Sequence, residues 1–256
     1  MSFSHEERQR YARHLDLPGF GEAAQLRLRA GRVLVVGCGG LGSPALYYLA
    51  AAGVGNIGLM DPDLVEISNL QRQILHATPD IGRPKVDSAI TRLRALNPHV
   101  RFTAHAEYLT AENARALLAP YELILDCTDN FAAKYLISDT CVALKKNFIH
   151  GSISGFCGQV LTVCPGQTAC LRCIHPTPPP VDDPAAAHTA GPLGAIPGVI
   201  GSLQAVEAIK VLARIGNTLT DTLLTYDGLE VEFRAVRARR NPQCPACGDA
   251  AAPVNV

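Results

Sequence analysis

The chain has 256 residues, with 23 basic and 23 acidic side chains, so no global field favours nucleic acid or an acidic surface. It has no tryptophan and few aromatic residues, which argues against a base-stacking platform, and it is long enough to bury an ample core. The charged start, Ser4 to Arg10, is no secretory signal, and no uninterrupted apolar stretch approaches membrane-spanning length. Together these predict a cytoplasmic protein whose nine cysteines are thiols or metal ligands rather than disulfides.

Residues 3–30 read as a helical arm interrupted at Pro18-Gly19. Val33 to Val36 is an apolar strand that enters a turn carrying Gly37, Gly39, Gly40 and Gly42. A helix through Tyr47 to Ala52 follows, then a second strand, Asn56 to Met60, closed by Asp61. This is the strand–turn–helix–strand pattern of a nucleotide-binding half. The glycines let backbone approach phosphate, and the helix start aims free N–H groups and about half a positive charge at it. Asp61 is placed to accept ribose hydroxyls. The pattern alone fits NAD, FAD, S-adenosylmethionine or ATP, or a tight turn with no ligand. The continuation narrows it: Asp61 to Gln73 is a dense polar loop with Asn69, Arg72 and Gln73, which suits a triphosphate better than a dinucleotide.

Pro84 opens a helix that runs through Val86 to Leu96, so Lys85 sits at a helix start, where the dipole disfavours it and another purpose is implied. Arg83 reads as a surface residue. Val100 to Ala106 is a strand, Thr110 caps a helix over Glu112 to Leu118, and Tyr121 to Asp126 is a short buried strand. It ends in Asp126-Cys127-Thr128-Asp129-Asn130, on the same carboxyl rim as Gly37 and Asp61, where open parallel sheets collect ligands. Asp126 reads as a cap or loop anchor, and Cys127 and Cys141 as packing residues. After a helix from Phe131 to Lys145, Phe148 to Val163 alternates apolar stretches with glycines, as bent strands do. Gly198 to Ile215 is an apolar-striped helix, and Thr222–Tyr226 and Leu229–Val236 flank an Asp227-Gly228 hairpin turn.

Cys170-Leu-Arg-Cys173 and Cys244-Pro-Ala-Cys247 are two Cys-x-x-Cys knuckles about seventy residues apart, the spacing of a closed tetrahedral thiolate zinc site. A closed shell leaves no position for water, so such a zinc is structural. Redox pairs or an iron–sulfur cluster are the competing readings.

From Arg10 to Cys247 the chain resembles the ThiF/MoeB/HesA group of ubiquitin-activating-enzyme-like adenylyltransferases, on the glycine turn with Asp61, the Asn69–Gln73 loop, Arg10-Tyr-Ala-Arg13-His14 and the Asp-x-x-Asp-Asn motif. The resemblance implies one α/β adenylation domain over 1–256, a Rossmann-like parallel sheet with helices on both faces, continued by antiparallel strands. Within it, 1–30 is the helical arm, 31–147 the nucleotide half and 148–247 the carrier-binding half with the zinc knuckles. It implies ATP on Gly37, Gly39, Gly40, Gly42 and Asp61, magnesium on Asp129, and the triphosphate held by Asn69, Arg72, Gln73 and Lys85. Arg13 would reach in from the neighbouring protomer of a homodimer. The implied substrate is the Gly-Gly carboxylate of a small ubiquitin-like sulfur carrier, activated as an acyl-adenylate with loss of pyrophosphate; no nucleic acid or membrane partner is implied.

The chain departs from that group in one place. Residues 175–194 form a proline- and alanine-rich crossover expected to be mobile, with Ala187 where many relatives have a cysteine. Its absence suggests that the reaction stops at the adenylate and that a separate protein donates sulfur. Three alternatives stay open: a zinc-stabilised module that binds a ubiquitin-like protein without activating it, an NAD-dependent Rossmann oxidoreductase, and a short peptide as acceptor.

Overall fold

The computed structural model describes residues 2–179 and 191–249. The N-terminal arm is three helices, with one break more than the expected one: α1 (His5–Arg10), α2 (Ala12–Leu15) and α3 (Gly21–Ala30). Ser4 and Glu7 close a reciprocal capping box on α1, which satisfies backbone donors that would otherwise be free. The break at Pro18-Gly19 falls where expected.

Then come β1 (Arg32–Val36), α4 (Gly42–Ala52), β2 (Asn56–Met60), α5 (Lys85–Leu96), β3 (Arg101–His105), α6 (Ala111–Leu118), β4 (Leu123–Asp126) and α7 (Phe131–Leu144). The remaining elements are β5 (Asn147–Ser154), β6 (Cys157–Val163), α8 (Leu171–Ile174), α9 (Ala195–Ala213), β7 (Thr222–Asp227) and β8 (Glu232–Arg237). One eight-stranded sheet runs through both halves in the order β3-β2-β1-β4-β5-β6-β7-β8. Pairings from β3 to β5 are parallel and those from β5 to β8 antiparallel, which is the expected continuation.

Two cores cover the sheet. On one face α3, α4, α5 and α9 pack around Leu28, Leu46, Leu49, Leu93 and Val35. On the other, α6, α7 and the cysteine knuckles pack around Leu118, Ile137, Phe148, Cys170 and Cys244. Leu46 and Leu49 have no exposed surface, and such side chains are worth about 2 kcal/mol each on burial.

Two boundaries differ from expectation. The apolar helix starts at Ala195, three residues early, because Pro197 sits in its first turn, where a missing N–H costs nothing; Arg214, left-handed at φ 55°, stops it. At 19 residues α9 is also long and apolar enough to cross a membrane, against the expectation from sequence. Half of it is buried, against α4, β5 and β6. The last hairpin turns over residues 228–231 rather than at Asp227-Gly228 alone, with Val231 at φ 55°. Of the crossover, residues 180–190, including Ala187, lie outside the described residues.

Candidate active site

A cavity of about 570 Å³ lies beyond the carboxyl ends of the parallel strands. Gly37, Gly39, Gly40, Asp61, Arg72, Gln73, Lys85 and Asp129 all line it. It continues past Tyr108 at one end and along Ser152–Ser154 of β5 at the other.

The glycine turn is built for close approach. Gly37 has φ +100°, its N–H donates to the Met60 carbonyl at 2.7 Å, and a Cβ there would strike the Cys127 carbonyl. A Cβ at Gly42 would strike the Gly37 carbonyl, so Gly42 is a helix–turn packing position rather than part of the cavity wall. The next amide, Cys38 N–H, donates to Asp61 Oδ2 at 2.8 Å and so ties the turn to the acid at the end of β2. His76 braces the same turn from behind, with Nε2 3.0 Å from the Cys38 carbonyl and Nδ1 2.9 Å from Ser88 Oγ.

Asp61 is 6% exposed, and its Oδ1 takes the Asp63 amide at 3.0 Å. Lys85, the first residue of α5, is equally buried; its Nζ donates to Asp63 Oδ2 at 2.7 Å and stands 3.7 Å from Asp61 Oδ1. These carboxylates offset the unfavourable helix start. Burial raises the Asp61 carboxyl above its ordinary range despite Lys85 and the two amides. Burial opposes the Lys85 charge, but Asp61 and then Asp63 outweigh it, and the ammonium is held above its ordinary value.

Arg72 rests its Nη1 on the Ser68 carbonyl at 3.0 Å, and among the described residues the Oε1 of buried Gln73 has no hydrogen-bond partner. Such an orphaned acceptor beside a glycine turn is a place for a ligand donor. Asn69 is set back from the cavity wall: it is buried and its Oδ1 takes the Glu66 amide at 3.1 Å, holding the turn from which Arg72 and Gln73 project. Arg13 is exposed on α2 and does not line this chain's cavity. Asp129 is exposed on the cavity wall, just before Asn130, which caps α7 by accepting the Ala133 amide at 2.9 Å. An exposed carboxylate on a cavity wall is an oxygen donor of the kind that can hold Mg²⁺ together with phosphates.

Asp126 is more than a loop anchor. It is fully buried between Lys134 and His150, and neither of those two was legible as a site residue from the sequence. A charged residue four positions after the α7 cap, on the face that turns inward, was the available signal. Arg83, read as a surface residue, is exposed and bridges to Asp80 at 3.0 Å. Burial pushes the Cys127 and Cys141 thiols well up, as packing residues require.

The four knuckle cysteines converge, with all four sulfurs within 4.8 Å of one another. Neighbouring sulfurs lie 3.8 Å (Cys170–Cys173), 3.6 Å (Cys170–Cys244) and 3.4 Å (Cys173–Cys247) apart. Four thiolates around a tetrahedral ion at about 2.3 Å would be about 3.8 Å apart, so the set fits such an ion. The Asn241 amide donates to Cys173 Sγ at 3.4 Å, a second-layer contact that stabilises thiolate charge.

The model of the ThiF family matches residues 11–246. A sulfur carrier protein adenylyltransferase of Thermus thermophilus is 48% identical over 254 residues, covering 97% of this chain and 94% of that protein. The adenylyltransferase and sulfurtransferase MOCS3 of Bos taurus is 45% identical over 97% of this chain, which spans 55% of that longer protein. Among solved structures, E. coli MccB superposes with a TM-score of 0.85 in its complex with AMPCPP and MccA, at 22% identity over 95% of this chain and 75% of MccB. Its ATP complex gives 0.79 at 22% identity, over 88% of this chain and 69% of MccB.

Proposed function

The chain belongs to the ThiF family, and on that premise we propose that it is an ATP-dependent adenylyltransferase acting on the C-terminal Gly-Gly carboxylate of a small ubiquitin-like sulfur-carrier protein. The observation that carries this reading is the single cavity shared by a ribose acid, Asp61, three phosphate-directed side chains, Arg72, Gln73 and Lys85, and a metal-type carboxylate, Asp129.

ATP lies over Gly37, Gly39 and Gly40 with its ribose hydroxyls on Asp61. Arg72, Gln73 and Lys85 hold the triphosphate, with Asn69 supporting the turn and Gly42 packing the helix start. Arg13 of a second copy completes the charge on the phosphates in a homodimer. Asp129 would hold Mg²⁺, which supplies charge screening on the phosphate oxygens. The carrier's tail enters along Ser152–Ser154, and one carboxylate oxygen attacks the α-phosphorus. The bond from that phosphorus to the bridging oxygen breaks, pyrophosphate leaves and the acyl-adenylate remains. A carboxylate brings no proton to remove, so no general base is needed; the protein's work is alignment and neutralisation of charge.

Cys170, Cys173, Cys244 and Cys247 would hold a structural zinc. With alanine at position 187, sulfur delivery falls to a separate donor protein, and the reaction belongs to the cytoplasm.

The test is carrier-dependent ATP–pyrophosphate exchange, run against Gly-Gly carriers and the same carriers lacking the last glycine. Exchange is expected only with the intact tail, and Arg72→Ala or Asp129→Ala should lower it by about 10³-fold, the scale of losing a group that stabilises transition-state charge. Exchange that persists in either variant removes that residue from the mechanism. A protein that binds NAD in place of ATP, or binds carrier without exchange, refutes the reading itself.

A further inference from the structure

Beneath the cavity lies a second buried ion pair to which the mechanism above gives no part. Lys134 is in the second turn of α7, 2% exposed, and borders the cavity. Its Nζ donates to the Gly151 carbonyl of β5 at 2.6 Å and stands 3.4 Å from both oxygens of Asp126. Asp126 Oδ1 also accepts from the Thr128 amide at 3.1 Å and the Thr128 hydroxyl at 2.6 Å. Its Oδ2 is 2.8 Å from His150 Nδ1. A carboxylate oxygen can only accept, so Nδ1–H donates to Asp126; burial lowers the pKa of the ring, and among the described residues Nε2 has no hydrogen-bond partner. Behind them Gln204 donates to the carbonyls of Asp126 and Ile149 at 2.8 and 3.2 Å.

One carboxylate therefore joins four segments: the end of β4, the loop that carries Asp129, the start of α7 and β5. Two of these contribute to the cavity wall, the loop after β4 through Asp129 and neighbouring β5 through Ser152–Ser154. Buried ion pairs are seldom more stabilising than apolar side chains of the same volume. What this one supplies is a fixed relation between two walls.

We infer that Lys134 is a positioning residue for adenylyl transfer: through Asp126 and the Gly151 carbonyl it clasps the Asp129 loop to β5 and so sets the distance between the nucleotide's α-phosphorus and the incoming carboxylate. The inference rests on the function proposed above. It concerns alignment of two bound substrates, so it predicts an effect on turnover rather than on ATP binding.

The experiment is steady-state exchange with Lys134→Met, Lys134→Arg and Thr128→Val, alongside amide hydrogen exchange of residues 126–134 and ring nitrogen NMR of His150. Lys134→Met should lower kcat by about 10²-fold, the cost of a misplacement near 1 Å, and leave the KM for ATP within about threefold. Lys134→Arg keeps the charge and the donors and should recover most of that loss. Thr128→Val removes one hydroxyl bond, leaves the ion pair and should cost about tenfold in kcat. In Lys134→Met the Thr128 amide should exchange faster, and the His150 ring, relieved of the nearby ammonium, should keep Nδ1–H on Asp126 and take up a proton at Nε2 more readily. If Lys134→Met does not fold, Thr128→Val and its amide exchange decide the matter. A folded Lys134→Met with unchanged kcat, a loss confined to KM, or loop amides that exchange as in the wild type would overturn the inference. If the wild-type protein itself shows no exchange, the functional reading fails, and the amide and ring measurements still report on the clasp.

Discussion

Two carboxylates stand beside buried lysines at the carboxyl ends of parallel strands, Asp61 on the cavity wall and Asp126 beneath it, and they are not alike. Asp126, at the end of β4, collects the Thr128 amide and hydroxyl, His150 and Lys134, and although burial alone would raise its pKa, Lys134 first and then His150 hold it at about 2. Asp61, after β2, has two amides and a lysine at 3.7 Å that sits closer to Asp63, and its pKa is raised. The difference lies in the donor count. A carboxylate with its lone pairs filled belongs to the scaffold, whereas one that is buried and under-supplied gains from hydroxyl donors brought by a ligand.

The contrast should break most completely if the zinc proposed for the four cysteines is taken away. Cys170 and Cys244 belong to the core on the α7 face and not to the core that carries the glycine turn. Structural zinc in such sites is worth on the order of 10–16 kcal/mol, so a chelator should release one zinc per chain and expose the last twenty or so residues to protease. The glycine-turn core should survive. Retained protease resistance at the C-terminus after chelation would contradict this.

A smaller effect sharpens the contrast through pH. The Asp126 carboxyl lies below its ordinary 3.8, at about 2, so its contribution is present above pH 4 and is lost as the pH falls through 2. That difference corresponds to about 2 kcal/mol. Urea unfolding of wild type and Asp126→Asn should show a stability gap that is flat from pH 7 to 5 and narrows by that amount below 4. A constant gap would mean that Asp126 is not the ionised partner of Lys134. The same substitution at Asp61 should behave otherwise. Asp61→Asn should leave stability nearly unchanged and raise the KM for ATP about tenfold, the scale of one charge-assisted hydrogen bond.

Much of this arrangement was legible in the chain. Gly37, Asp61 and Asp129 fall on one rim because strand ends in a parallel sheet share an edge, and local pattern marks strand ends well. The two Cys-x-x-Cys pairs carried their own geometry. What local pattern could not show was partnership across the sheet. His150 meets Asp126 because β5 pairs with β4 in the register Asp126↔His150, and no feature near either residue announces that register. Lys134 looked like any helix lysine until α7 packed. The family resemblance implies Asn69 as a phosphate ligand, whereas a 3₁₀ turn over Ile67–Asn69 directs its side chain to the Glu66 amide. The early start of α9 was hidden by Pro197, which is a breaker inside a helix and a good residue in its first turn.

The most direct measurement is a crystal structure of the protein with ATP and magnesium. The account predicts the ribose hydroxyls within hydrogen-bond distance of Asp61, the phosphates against Arg72 and the metal on Asp129, with the four donors of Asp126 unmoved. A nucleotide bound while Asp61, Arg72 and Asp129 turn away from it, or one that recruits Asp126 as its ligand, would contradict the account.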